Sequence, residues 1–243
     1  MVAIETYKLQ KKYKDTLAVK ALDLSVDQGE MFGLLGVNGA GKTTVIKMLS
    51  CLIKATDGDA VLMGKSINSE PLQVKSLINV SPQNTAVAPN LTVFENLEFI
   101  SGIYGNTTEK AREKAEEMID KFSLFEVKNK KAKTLSGGWQ RRLSIAMALI
   151  SEPQILFLDE PTLGLDVLAR RELWNIIEEL KGKITIILTT HYLEEATALC
   201  DRIAIMSKGE VKAIGTGEEI MKSTNSATFE DAFVKICAEG EGK

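Results

Sequence analysis

Apolar residues fall along this chain in two kinds of pattern. Short runs that are apolar at successive positions recur between turn signals: Gly33–Leu35, Ala60–Met63, Ile155–Leu158, Ile184–Leu188 and Ile203–Met206. Several of them suit strands covered on both faces, as in a parallel sheet. Between them the period lengthens. Ala111, Ala115, Met118, Ile119 and Phe122 recur at helical spacing with charged residues in between, the stripe of an amphipathic helix. Leu143–Ile150 and Leu168–Leu180 also read as helices. Strands alternating with helices predict an α/β fold around a mainly parallel sheet.

Three stretches depart from that alternation. Ile4–Leu9, Ala18–Val26 and the run from Met31 read as consecutive strands joined by Lys, Asp and Gly turns, an antiparallel β patch at the N-terminus. From about Asn84 to Lys133 helical patterns replace the strand signal, as in a helical insertion. The tail beyond Ile214 reads as a short helix-rich appendage ending in Glu239-Gly-Glu-Gly-Lys243. The expected organisation is one domain over 1–243. Its α/β core takes in 1–83 and 150–215, its helical subdomain 84–149 and its C-terminal appendage 216–243.

Composition narrows the partners. The 243 residues carry 30 Lys+Arg against 33 Asp+Glu, a formal charge of −3. That balance lacks the basic excess of a nucleic-acid binder, so no nucleic acid partner is expected. No apolar stretch approaches the roughly 20 residues of a spanning helix, and Met1–Lys14 has no secretory signal pattern. Cys51, Cys200 and Cys237 show no C-x-x-C spacing, which argues for buried thiols over a disulfide framework or a zinc site. His191 is the sole histidine.

The chemistry begins at Gly36-Val37-Asn38-Gly39-Ala40-Gly41-Lys42-Thr43-Thr44, which fits G-x-x-x-x-G-K-[ST] between a strand-like run and a helical pattern. Glycines let backbone N–H groups converge on one anion, and the next helix adds its positive end. Lys42 is expected to reach the β- and γ-phosphates of a nucleotide and the Thr43 hydroxyl to bind Mg²⁺. Ile155–Leu158 ends in Asp159 and Glu160. At a strand end, neighbouring carboxylates can part: Asp159 is expected to hold Mg²⁺ and Glu160 to polarise an attacking water.

Leu135-Ser136-Gly137-Gly138-Trp139-Gln140-Arg141-Arg142 narrows this further. Here the chain resembles the nucleotide-binding subunits of ATP-binding cassette (ABC) transporters, whose signature is LSGGQ followed by a basic pair. The resemblance runs from about Ile4 to Phe233. It implies a phosphate-loop ATPase fold, the cofactors ATP and Mg²⁺, and a role for each matching residue. Tyr13 would stack on adenine. Gln83, in Ser81-Pro82-Gln83, would touch Mg²⁺ and sense the γ-phosphate. Asp166, in Gly164-Leu165-Asp166, would communicate across a subunit boundary, and His191 would act as the switch beside Glu160. Leu135, Ser136, Gly137 and Gly138 would bind the ATP held by a second cassette, a copy or a close relative. The fifth signature position departs from the family: Trp139 stands where glutamine is usual.

Pro89–Asn96, Thr189–Glu195 and Ala227–Val234 resemble the branch serving exporters of drugs, lipids, polysaccharides or ions. That resemblance implies a separate transmembrane permease subunit docked on the helical insertion around Asn84–Tyr104, with the chain held on the cytoplasmic face of the cell membrane. Two other classes fit these residues less well. A soluble ABC protein would be expected to carry tandem cassettes or long coiled coils, and a phosphate-loop kinase gives no reason for Leu135–Arg142 or His191.

Overall fold

Apolar runs with no polar face need cover on both sides, and they receive it. The computed structural model describes residues 1–238. Its strands are β1 (Val2–Tyr13), β2 (Thr16–Leu22), β3 (Ser25–Asp27), β4 (Met31–Gly36), β5 (Asp57–Leu62), β6 (Lys65–Ser66), β7 (Ile78–Ser81), β8 (Ile155–Asp159), β9 (Thr185–Thr190), β10 (Arg202–Ser207) and β11 (Glu210–Gly215). Its helices are α1 (Lys42–Leu49), α2 (Pro71–Leu77), α3 (Val93–Ile103), α4 (Thr108–Lys121), α5 (Gly137–Leu149), α6 (Val167–Glu178), α7 (Leu193–Leu199), α8 (Gly217–Ser223) and α9 (Phe229–Ala238).

One sheet runs β11-β10-β4-β9-β8-β7 and is parallel except for β11. Every residue of β4, β8 and β9 is buried. Successive side chains of a strand point to opposite faces. Ile155, Phe157 and Ile187 accordingly enter one core layer with α1, while Leu156, Leu158, Ile186 and Leu188 enter another with α5 and α6. The second sheet, β2-β1-β5-β6 with β3 also on β1, is antiparallel and covers the α1 layer with Ile4, Leu9, Val19 and Val26.

Two strand expectations are corrected. Ala60–Met63 is not a run buried on both faces: Ala60 and Leu62 are buried, Val61 is half-buried, and their strand β5 belongs to the antiparallel sheet. Met63 leaves the strand in a left-handed turn, with φ of 48°. Ile184 likewise precedes its strand, which extends instead to Thr190.

The helical insertion forms as expected. Thr92 and Glu95 close a reciprocal capping box on α3, and Ala111, Ala115, Met118 and Ile119 are the buried residues of α4. Helix α5 starts at Gly137, six residues before its apolar run, and Arg141 to Leu149 are all buried. A helix covered all round shows no amphipathic stripe. Beyond β11, α8 and α9 place Ile220, Ala232 and Ile236 against Leu35 and Ile205; the expected solvated tail 239–243 lies outside the described residues.

Register then locates the site. Leu35 pairs with Thr190, Asp159 with Thr189, and Ser81 with Leu158. The carboxyl ends of β4, β9, β8 and β7 therefore line up, so the loops that follow them emerge side by side. In open parallel sheets that edge is where ligands bind.

Candidate nucleotide-binding site

Four loops leave that edge. The first runs from β4 into α1. Gly41, the N-cap of α1, has φ of 107°, and a Cβ there would lie 2.6 Å from the Ala18 carbonyl oxygen. Only glycine fits both constraints. No side chain caps α1, so first-turn N–H groups and the positive helix end are left for an anion. Lys42 Nζ donates to Gly36 O at 2.7 Å and Val37 O at 3.3 Å and lies 3.7 Å from Glu160 Oε1. Burial lowers the Lys42 pKa, and the charges of Glu160 and Asp159 pull it back up. An ammonium held this way, with only 5% exposure, suits a multiply charged anion in the loop.

The second loop follows β8. Asp159 stays in the sheet, where its Oδ1 accepts from Thr189 Oγ1 at 2.5 Å and Thr43 Oγ1 at 3.2 Å. Glu160 turns out of it in the left-handed region, with φ of 47°. Its N–H stays tied to Thr189, 3.0 Å to the carbonyl and 3.1 Å to Oγ1. Its carboxylate meets the remaining loops: Gln83 Nε2 donates to Oε2 at 3.3 Å, and His191 Nδ1 lies 3.3 Å from the same oxygen without the alignment of a hydrogen bond. Asn38 to Thr44, Gln83, Glu160, Leu163 and His191 line one cavity of about 430 Å³. The oxygens of Thr43, Asp159 and Gln83 are hard donors of the kind that Mg²⁺ accepts beside substrate phosphates, so the residues present fit that ion.

Other predicted residues lie apart. Gly36 and Val37 supply the carbonyls that Lys42 holds, and Val37 is 49% exposed. Tyr13 ends β1 with its ring 5.2 Å from Lys11 Nζ and does not line the cavity. Leu135 is buried, whereas Ser136 and Gly137 are exposed. Ser136 is the N-cap of α5 but its hydroxyl caps nothing there. A Cβ on Gly138 would come within 3.2 Å of Ala169 Cβ, which keeps α5 close to α6. None of these four lines the cavity within one chain. Asp166 caps α6 by accepting from Ala169 N at 2.9 Å.

Two residues that sequence reasoning passed over stand under the site. Thr189 holds both Asp159 and the Glu160 backbone. Arg141, 4% exposed, donates from Nε to Pro161 O at 2.6 Å, from Nη2 to Asp159 O at 2.8 Å and to Glu160 O, and from Nη1 to the carbonyls of Pro82 and Gln83. Burial lowers its pKa to about 10 against the pull of Asp159, Glu195 and Glu160, which leaves it charged at neutral pH. The basic pair at Arg141 and Arg142 was the only sequence signal. Its members part: the Arg142 guanidinium stacks 4.7 Å from the Trp139 ring and pairs with Glu172.

Known proteins share these features. A sequence profile described as ABC transporter matches residues 19–163. The daunorubicin/doxorubicin resistance ATP-binding protein DrrA of Streptomyces peucetius is 44% identical over 225 residues, 92% of this chain and 68% of its own length. The human phospholipid-transporting ATPase ABCA3 is 41% identical over 222 residues, which are 91% of this chain but 13% of that protein. The ATP-binding cassette MJ0796, solved as a dimer in a post-hydrolysis state with ADP and Pi, superposes with a TM-score of 0.79 at 27% identity, over 88% of this chain and 98% of that one. The chain belongs to the ABC transporter family, as an ATP-hydrolysing subunit.

Proposed function

We propose that this cassette and a second one, a copy or a close relative, close over two Mg·ATP and thereby drive a separate permease subunit of an exporter. The observation that carries this reading is the division of the groups that would handle the γ-phosphate and its attacking water. Lys42, Gln83, Glu160 and His191 face one cavity, while Ser136, Gly137 and Gly138 stand at an uncapped helix start outside it. A second chain placed head to tail would bring its Ser136 hydroxyl and glycine N–H groups to the γ-phosphate held here.

In that arrangement Lys42 exchanges the Gly36 and Val37 carbonyls for phosphate oxygens. Thr43, Asp159 and Gln83 would hold Mg²⁺, which supplies charge neutralisation at the phosphates. Glu160 accepts the proton of the attacking water, and His191 orients Glu160 and the γ-phosphate. Tyr13 would meet the adenine and Asp166 the partner cassette. Product release reopens the pair.

A groove of about 200 Å³ beside Gln83, lined by Asn79, Pro82, Ala86, Ile100, Ile103 and Tyr104 among others, is the surface for the permease. No helix among the described residues is long and apolar enough to cross a membrane; in this reading the permease subunit holds the chain at the cytoplasmic face. The export direction rests on likeness to DrrA, named for drug resistance, and to ABCA3, named for phospholipid transport.

Turnover tests the reading. Glu160→Gln is expected to bind ATP normally and to lower kcat by about 10²–10⁴, the usual contribution of a general base. Wild-type turnover in that variant refutes it. Substitutions across Ala86–Leu91 are expected to uncouple transport while sparing basal ATPase; unchanged transport refutes the docking surface.

A further inference from the structure

Arg141 is a buried cation whose five hydrogen bonds all go to backbone carbonyls. Those carbonyls belong to two loops that the chain separates widely: Pro82 and Gln83 follow β7, and Asp159, Glu160 and Pro161 follow β8. The side chain itself comes from the second turn of α5, five residues after Ser136. One planar group therefore joins three elements, since only a guanidinium presents five donors in a fixed fork. We infer that Arg141 is a positioning residue: its guanidinium sets Glu160 and Gln83 in place relative to the signature end of α5, so that the hydrolytic groups and the surface that meets the second cassette move together.

The physical case is one of stiffness. Glu160 stands in the left-handed region, which a bulky side chain visits only when its surroundings hold it there. Thr189 holds its N–H and Arg141 its C=O, so both ends of its backbone are fixed. The Gln83 side chain reaches Glu160 Oε2, while Arg141 takes the carbonyl oxygens of Gln83 and Pro82. Pro82 also lines the groove proposed for the permease, so a partner pressing there acts on a carbonyl that Arg141 grips. A lysine at 141 would keep the charge but has three donors on one nitrogen and cannot span both loops.

This inference rests on the roles proposed for Glu160 and Gln83, so loop order and turnover are measured separately. Arg141→Lys in the full chain is expected to raise amide hydrogen exchange in both 82–86 and 159–163. It should lower kcat by about 10–100-fold, the scale of an ångström-sized misplacement, with KM for ATP within about twofold because phosphate binding is untouched. Arg141→Ala is expected to recover part of that turnover when free guanidinium ion is added well below denaturing concentration. Unchanged exchange in the two loops overturns the tether. Faster exchange with wild-type kcat overturns the positioning role. A kcat loss that only tracks the unfolded fraction, without guanidinium rescue, overturns it too. Failure of Glu160→Gln to lower turnover refutes the proposed reaction instead, and the exchange measurement still decides the tether.

Discussion

Thr189→Val removes one hydroxyl and almost no volume, which makes it a clean perturbation of the site. Thr189 is fully buried, and its Oγ1 lies 2.5 Å from Asp159 Oδ1 and 3.1 Å from Glu160 N. The Glu160 N–H keeps the Thr189 carbonyl at 3.0 Å, so the loss falls on Asp159. A hydrogen bond to a charged group contributes about 1.5–3 kcal/mol, and Thr43 still donates to the same oxygen at 3.2 Å. The expected net cost is about 1–3 kcal/mol, or roughly 3–10 °C in Tm for a domain of this size. An outer partner that orients a metal-binding carboxylate is worth about 10–100-fold in metal affinity, so the Mg²⁺ needed to half-saturate ATPase should rise by that factor. Guanidinium chloride unfolding at constant slope reads the first quantity, and a Mg²⁺ titration at saturating ATP reads the second. Thr189→Ser keeps the hydroxyl and should stay near wild type in both. A valine variant at wild-type values in both quantities refutes the reasoning.

Two further outcomes follow from single contacts. Gly41→Ala brings a Cβ within 2.6 Å of the Ala18 carbonyl at a φ of 107°, whereas Gly39→Ala, at a φ of 82°, meets open space. Both variants pay the backbone strain of a positive φ, about 1–3 kcal/mol, so the clash sets the difference: the Tm of Gly41→Ala should fall clearly below that of Gly39→Ala, and equal values contradict the clash. Burial raises the Glu195 pKa above its ordinary 4.5, although the nearby polar groups of Thr190, Thr162 and Trp174 and the charge of Arg170 oppose it. A raised folded pKa means the folded state binds the proton more tightly, so this contribution is full below 4.5 and lost as pH rises through the folded value. Glu195→Gln keeps an acceptor for Trp174 Nε1, which donates to the carboxylate at 3.1 Å. The variant should flatten the decline in stability with pH and be at least as stable as wild type at neutral pH; a variant less stable there contradicts the sign.

What was legible in the sequence is what local physics writes there. Uninterrupted apolar runs need two-sided cover, and β4, β8 and β9 follow from them. Ile78-Asn79-Val80-Ser81 carries half its residues polar, so β7 gives no such run, and Ala60–Met63 mimics one although β5 is covered unevenly. The phosphate loop was readable because its glycines answer a backbone requirement that no other residue meets. Thr189 and Arg141 were not, for a different reason. Their partners are a carboxylate 30 positions away and carbonyls 18 to 59 positions away, and a backbone carbonyl leaves no residue type to recognise. The start of α5 was hidden likewise, because a helix buried on all sides has no polar face to mark its register.

The shared-nucleotide arrangement is tested most directly by the mass of the Glu160→Gln chain in solution, with and without Mg·ATP. Light scattering on an eluting peak is expected to show a species of twice the monomer mass with Mg·ATP and a monomer without it. Adding Ser136→Arg, which fills the anion site at the start of α5, should leave the chain monomeric in both conditions. A Glu160→Gln chain that stays monomeric at saturating Mg·ATP, or a dimer indifferent to Ser136→Arg, contradicts the central claim.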